Sequence, residues 1–290
     1  MIQLIEYAII GAATGSIYAL GALCFVTINK PSNVFNFAMG EMMMMGAYFY
    51  YLFSVQGDLH WLPALVLALA MGGLLGAAIE RLILRRLLGQ PHVVLVMVTF
   101  GIGSALRGVA GMIWGANILN LPQFLPRAPI FIGDMLIPGK LAWGMVVMVV
   151  IILAFVLYYR FSRTGIAIRA TAADQITAEV LGINIRGVFV WSWVVAGSMA
   201  TMAGITAASI NGLTPNLGLI ALEVLAVVML AGMTSVGGVL IAGILVGMIN
   251  ALVGAYIDSS WQQFMPYLIV LAMMTVRPHG LFGEKPVERI

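Results

Sequence analysis

The sequence predicts an all-α, polytopic membrane bundle, on three observations. Of its 290 residues, 62% are hydrophobic and 9% charged, whereas a soluble domain carries about 25% charged residues. Apolar runs of about 18 residues or more, long enough to span a bilayer, recur from one end to the other. The basic residues cluster in a few short stretches between those runs. That arrangement sets orientation in a membrane and does not suggest nucleic-acid binding. A single transmembrane domain, 1–290, is expected, with no soluble domain attached.

The runs fall at 4–28, 34–54, 62–84, 93–114, 141–159, 188–209, 217–233, 237–257 and 261–276, which predicts eight or nine transmembrane segments. The stretch 217–233 is short for a span and is followed by Gly237-Gly238, so a broken or re-entrant helix near 217–240 separates the two counts. The first run follows no basic stretch and is longer than a typical signal h-region, so it is expected to remain as a helix. Glu80, Arg81, Arg85 and Arg86 lie between the third and fourth runs. Arg160, Arg163, Arg169 and Arg186 lie between the fifth and sixth, and Arg277 follows the last. These are the predicted cytoplasmic stretches. Asp58, Asp258 and the loop 115–140, with Pro122, Pro126, Pro129 and Pro138, then face outward. That loop reads as a rigid spacer or as a landing surface for a partner. Parity is satisfied by nine crossings with the N-terminus outside.

Small residues four apart, Gly11/Gly15, Gly72/Gly76 and Gly243/Gly247, let helix backbones approach closely, inside the subunit or between subunits. Cys24 is alone, which excludes an intrachain disulfide and a Cys-rich metal site, and it reads as packing. Met42 to Met45 point all round a helix and read as adaptable packing rather than a metal site.

Polar residues at membrane depth mark a pathway or an internal partner. Asn33, Asn36 and Glu41 sit after Pro31 at the mouth of the second run, and Glu223 holds a comparable place in Leu219-Ile220-Ala221-Leu222-Glu223. Each glutamate precedes an apolar stretch ending in glycine, Gly46 and Gly232, as in a degenerate internal repeat. These four are the candidate pathway residues, with helix capping or bonding to a neighbouring helix as the other reading. The chain has no phosphate-binding loop. His60, His92 and His279 are isolated, and no nucleophile elbow, zinc signature or acid pair occurs, so no catalytic or metal residue is assigned.

The stretch 160–187 is too polar to span. Its alanine-rich middle predicts one short helix over 165–184, closed by Gly182 in the C′ manner. Such an element suits a groove on a partner or the bilayer surface. Ala167, Ala170, Ala172, Ala173 and Ala178 form its slim face, with Arg169, Asp174 and Glu179 at the rim.

In Gly15-Ser16-Ile17-Tyr18-Ala19-Leu20, Asn36-Phe37-Ala38-Met39-Gly40-Glu41 and Gly46-Ala47-Tyr48, the chain resembles the permease subunits of branched-chain amino acid ABC importers. The likeness continues through Thr164-Gly165, Ile168-Arg169-Ala170, Leu181-Gly182-Ile183-Asn184, Leu230-Ala231-Gly232-Met233, Gly237-Gly238 and Arg277-Pro278-His279-Gly280-Leu281-Phe282-Gly283. Their order and spacing over nearly the whole chain carry the resemblance, which is to the shorter of the two permease kinds. It implies a multi-pass protein of the bacterial inner membrane, itself not an enzyme and holding no cofactor. Its partners would be a second related permease, two cytoplasmic ATPase subunits that bind ATP and Mg, and an extracytoplasmic substrate-binding protein. The resemblance also makes 165–184 the element that couples to the ATPase, with Gly165, Arg169, Ala170, Ala173, Asp174, Glu179 and Gly182 its candidate residues. The chain departs from the family at Ala172-Ala173-Asp174, where Ala-x-x-Asn is usual. Relatives move urea or other small amides and acids, and a passive small-solute channel is the rival reading. An intramembrane enzyme would have only Glu41 and Glu223 to offer.

Single cysteines at Arg81, Arg85, Arg163 or Arg169 in a Cys24→Ala background should resist an impermeant thiol reagent in intact cells. Labelling from outside would reverse the orientation.

Overall fold

The computed structural model describes residues 2–87, 89–122, 125, 126, 128–132, 135–277 and 279–283, without the side chains of Ile2, Ile132 and Gln263. Pro278, within the last quoted motif, lies outside them.

Hydrocarbon offers backbone groups no hydrogen bonds, so spanning segments are helical wherever the chain allows. The helices are α1 (Ile2–Ser32), α2 (Met39–Tyr51), α3 (Trp61–Ala78), α4 (His92–Trp114), α5 (Gly139–Phe161), α6 (Arg163–Ala173), α7 (Gln175–Val180), α8 (Ile185–Asn211), α9 (Ala221–Ala231), α10 (Gly238–Tyr256) and α11 (Ser259–Val276). Wider or tighter turns extend α2 to Gln56 and α3 to Leu87, and a 3-10 turn, Pro215–Ile220, leads into α9. The loop between α4 and α5 holds an antiparallel hairpin, β1 (Ile130–Ile132) with β2 (Met135–Ile137).

Every predicted run falls on helix, though the second starts only at Met39. Among the described residues, six helices are long and apolar enough to cross a membrane: Gln3–Ser32, Trp61–Leu87, His92–Trp114, Gly139–Phe161, Ile185–Asn211 and Gly238–Tyr256. Pro215–Ala231 and Phe264–Val276 are shorter apolar helices. Helix α2 is buried on all sides, including Met42 to Met45, as expected of a helix with no polar face.

Two glycine seams hold the bundle. Gly11 and Gly15 of α1 lie against the backbone of Gly247 and Gly243 of α10, so an added Cβ would strike a carbonyl. Gly72 and Gly76 of α3 face Gly197, Thr201 and the Trp193 carbonyl of α8. The small-residue pairs therefore serve packing inside the subunit. The seams also reveal a repeat. Helices α1 and α8 are long and central, and each is followed by an irregular break and a short helix whose third residue is glutamate, Glu41 and Glu223. Each short helix packs on the next helix, α3 or α10, and that helix packs on the long helix of the other half.

The halves run in opposite directions. Gln175 Nε2 donates to the Pro31 carbonyl at the end of α1 at 2.9 Å. Arg169 Nη2 donates to the Arg160 carbonyl at the end of α5 at 3.1 Å. The Leu281 and Phe282 amides donate to the Leu230 and Ala231 carbonyls at the end of α9, at 2.8 and 3.1 Å. Thr234, just beyond α9, shares a 330 Å³ cavity with Asn33 and Asp174. The ends of α1, α5 and α9 thus share one face with the α6–α7 loop, where α8 begins. On the other face, where α8 ends, Leu213 and Leu119 exchange backbone bonds of 2.9 Å and Lys140 Nζ donates to the Ser209 carbonyl at 2.9 Å.

Gly15→Leu should lower the midpoint of thermal unfolding and cost about 1–3 kcal/mol or more, as overpacking does. Cys24 is fully buried, so its heat-induced reaction with a fluorogenic maleimide reads the transition. Gly101→Leu, with nothing within 4 Å of the added Cβ, should leave the midpoint unchanged.

Candidate functional site

The first break, residues 33–38, leaves backbone groups without helical partners between α1 and α2. Asn33 takes up φ +55°, a left-handed closure that asparagine tolerates, and its amide donates to the Asn29 carbonyl at 2.7 Å. Thr99 of α4 then staples the turn. Its hydroxyl accepts from the Phe37 amide at 3.2 Å, and its one proton is shared between the Val96 carbonyl at 3.0 Å and the Phe35 carbonyl at 3.3 Å. Asn36 is buried, and its Oδ1 accepts from the Ala38 amide at 3.0 Å. These asparagines hold the break itself. Asn33 lies at the α6–α7 face, in the 330 Å³ cavity with Asp174 and Gln175.

Glu41 starts α2, where the positive end of the helix favours a carboxylate. It is buried and ion-paired with Arg107 of α4, whose Nη2 donates to Glu41 Oε1. The carboxylate rests over Gly103 of α4 and Gly218 of the 3-10 turn, so an added Cβ would stand 3.1 Å from Oε2 or 3.2 Å from Oε1. The pair therefore joins α2 and α4 to the segment that enters α9. A lone arginine in the middle of an apolar 23-residue helix needs an internal partner. That signal in the sequence was enough to single out Arg107, and the sequence reading missed it.

Glu223 sits differently. Its Oε2 is buried and has no hydrogen-bond partner among the described residues. It lines a 740 Å³ cavity with Tyr18, Asn211, Asn216, Phe264 and Tyr267. A second cavity of 450 Å³ shares Tyr18 and adds Thr14, Asn250 and Gln262. A polar wall thus runs along α1, α9, α10 and α11. Helices α4 and α5 instead present an apolar surface, with Met97, Phe100, Met112, Val150 and Leu157 exposed. Polar groups do not face lipid unpartnered, so the first face meets water or protein and the second suits hydrocarbon. The four candidate pathway residues are not brought together. Of the four, Glu223 lines the larger cavity and none lines the smaller, and Glu41 reaches the larger one only through the 215–220 turn.

The predicted single helix at 165–184 is two helices. Asp174 takes an extended backbone, φ −160°, and its Oδ1 accepts from the Thr177 amide at 2.9 Å, starting α7 anew. Ser162 caps α6 through the Gly165 amide at 2.9 Å, and Gly182 closes α7 at φ +85°. Among the slim-face residues, Ala178 turns inward and is buried, while Ala173 is exposed and Ala170 half-buried. Arg169 is not at the rim. It is turned back to the Tyr159 and Arg160 carbonyls and lies over the Tyr159 ring at 5.4 Å, neutralising the negative end of α5. What projects is apolar: Ile176, Val180 and Leu181 are 75–81% exposed, with Glu179 beside them.

Among the described residues no three His, Cys, Asp or Glu side chains converge where a metal could bind. The site offers a polar wall with one carboxylate and a projecting apolar knob.

Arg107→Ala leaves the Glu41 carboxylate buried and unpaired, which should cost about 3–5 kcal/mol. Glu41→Gln with Arg107→Gln should recover much of that loss in the Cys24 unfolding assay. Equal loss in the single and double variants would mean that the charge pair is not what holds α4 to α2.

A family described as "Branched-chain amino acid transport system / permease component" matches residues 7–274. The Escherichia coli K12 "High-affinity branched-chain amino acid transport system permease protein LivH" is 26% identical over 296 residues, 97% of this chain and 96% of that protein. BraD of Pseudomonas aeruginosa, a "High-affinity branched-chain amino acid transport system permease protein", is 24% identical over 97% of this chain and 96% of its own length. A "Probable branched-chain amino acid transport permease protein LivH" of Methanocaldococcus jannaschii is 28% identical, covering 97% and 92%. Among solved structures, "PsaBC from Streptococcus pneumoniae in complex with Fab" aligns with 95% of this chain and 92% of that chain, at 16% identity and a TM-score of 0.49. With the match extending over almost its whole length, the chain belongs to the branched-chain amino acid transport system permease family.

Proposed function

We propose that this chain is the permease subunit of an ABC importer that moves branched-chain or related amino acids across the bacterial inner membrane, driven by separate ATPase subunits. The observation that carries the proposal is the polar wall along α1, α9, α10 and α11, where Glu223 Oε2 has no hydrogen-bond partner among the described residues. It has the chemistry of a solute path, while α4 and α5 offer an apolar flank suited to lipid. Family membership makes the machine an importer, and the transport role of the named relatives supplies the substrate class.

In this reading the second permease covers the Glu223 face, so the path lies between two subunits. The chain crosses nine times. Residues 215–231 form one crossing as a broken helix, and α2 with its extension to Gln56, 18 residues and about 27 Å at 1.5 Å per residue, forms another. The face bearing Lys30, Arg85, Arg160 and Arg186 is cytoplasmic. There α6 and α7 dock into the ATPases, which hold ATP and Mg, with Ile176, Val180 and Leu181 as the inserted knob. The binding protein delivers substrate to the opposite face, beside the 115–138 loop.

An apolar anchor seated in a partner groove is worth about 2 kcal/mol or more. Ile176→Asp with Val180→Asp should therefore reduce substrate-stimulated ATPase activity and uptake at least about tenfold, while the permease still inserts. Unchanged stimulation and uptake would remove the loop from coupling.

A further inference from the structure

We infer that this chain has a solute-binding site of its own, which holds a primary ammonium group with a short apolar tail at Glu223, between α1, the 215–220 turn and α11. The inference rests on the importer reading and names the part of the substrate that this subunit grips. The 740 Å³ cavity falls within the roughly 300–1,000 Å³ of small-molecule sites.

The lining decides the chemistry. Its charged group is the Glu223 carboxylate, with an oxygen that no described residue satisfies. Around it stand the Asn211 and Asn216 carboxamides, each able to accept or to donate, and the rings of Tyr18, Tyr267 and Phe264. An ammonium has three donors and no acceptor. It gains a charge-assisted bond to the carboxylate and attraction to ring faces. Among the described residues no Lys, Arg or His lines this cavity or the 450 Å³ cavity that shares Tyr18, so neither offers a counter-ion for a carboxylate there.

The tail has its own place. Phe264 and Tyr267 also line an adjoining 250 Å³ pocket completed by Ser260, Trp261 and Leu268. The exposed Phe264 and Leu268 side chains give that pocket an apolar wall for a branched aliphatic group. Pro266 lies in the same lining. It has no amide hydrogen to donate, so the Gln262 carbonyl loses its partner in the α11 ladder. A zwitterion bound here leaves its carboxylate to groups on the second permease.

The test is equilibrium binding of radiolabelled L-leucine to the assembled complex of two permeases and ATPases in nanodiscs, without binding protein. 3-Methylbutylamine, which keeps the ammonium and tail, should compete, and 4-methylpentanoate, which keeps the tail and carboxylate, should not. Glu223→Gln should weaken leucine binding at least about tenfold, and Glu223→Asp should retain most of it. Phe264→Ala should weaken leucine about tenfold and alanine little. The site is overturned if wild type binds no leucine, if 4-methylpentanoate competes as well as 3-methylbutylamine, or if Glu223→Gln binds as wild type does. Should Glu223→Gln fail to assemble, the two competitors on the wild-type complex decide. ATP-driven leucine import by wild type with binding protein is the parallel measurement. Import without the site refutes only the site, whereas no import of leucine refutes the importer reading itself.

Discussion

Backbone amides and carbonyls inside a bilayer must find their partners within the protein, and this constraint shapes the whole molecule. It is met by helix almost everywhere. It is met differently at residues 33–38 and 212–220, where the chain leaves helical geometry inside the bundle. Thr99 closes the first break with two bonds. Leu119, in the α4–α5 loop, closes the second by exchanging backbone bonds with Leu213, while Gly212 supplies the positive φ, +84°. Each break is thus held by an element remote in sequence.

The breaks matter for the helices they open. Each of those short helices carries a glutamate in its third position, and the two carboxylates have opposite fates. Glu41 is buried among α2, α4 and the 3-10 turn and paired with Arg107, so its charge is spent on holding three elements together. Glu223 has no such cation and faces a cavity. One half of the repeat supplies a fixed brace, the other an unmet acceptor. The glycine seams make this possible, since α1 against α10 and α3 against α8 pack backbone to backbone. That closeness leaves α2 enclosed and α9 at the edge of the bundle.

At the basic face the structure divides labour between neighbouring residues. Arg169 and Ser162 serve the junction between α5 and α6, and Asp174 and Gly182 define the start and end of α7. The small residues let α6 and α7 lie close to the bundle, with Ala178 turned in. The larger apolar residues Ile176, Val180 and Leu181 project furthest, and of the expected slim face Ala173 is exposed while Ala178 is turned inward.

The linear chain was sufficient for the membrane bundle, the positions of nearly all its helices, the family and the glutamates that interrupt an apolar chain. Hydropathy and the cost of charge in hydrocarbon are local, so they are legible along the chain. The glycine pairs were legible too, but spacing alone does not tell a seam inside a subunit from one between subunits. The packed bundle was needed to show that α10 and α8 fill those seams. The same holds for Arg107, which was visible as an isolated charge but acquires its meaning from Glu41, 66 positions away. The division of 165–184 at Asp174 turned on whether one side chain caps a new helix or continues the old one, two options close in local energy. Which glutamate is paired and which is open to a cavity is decided by what packs against it, and packing partners come from distant parts of the chain.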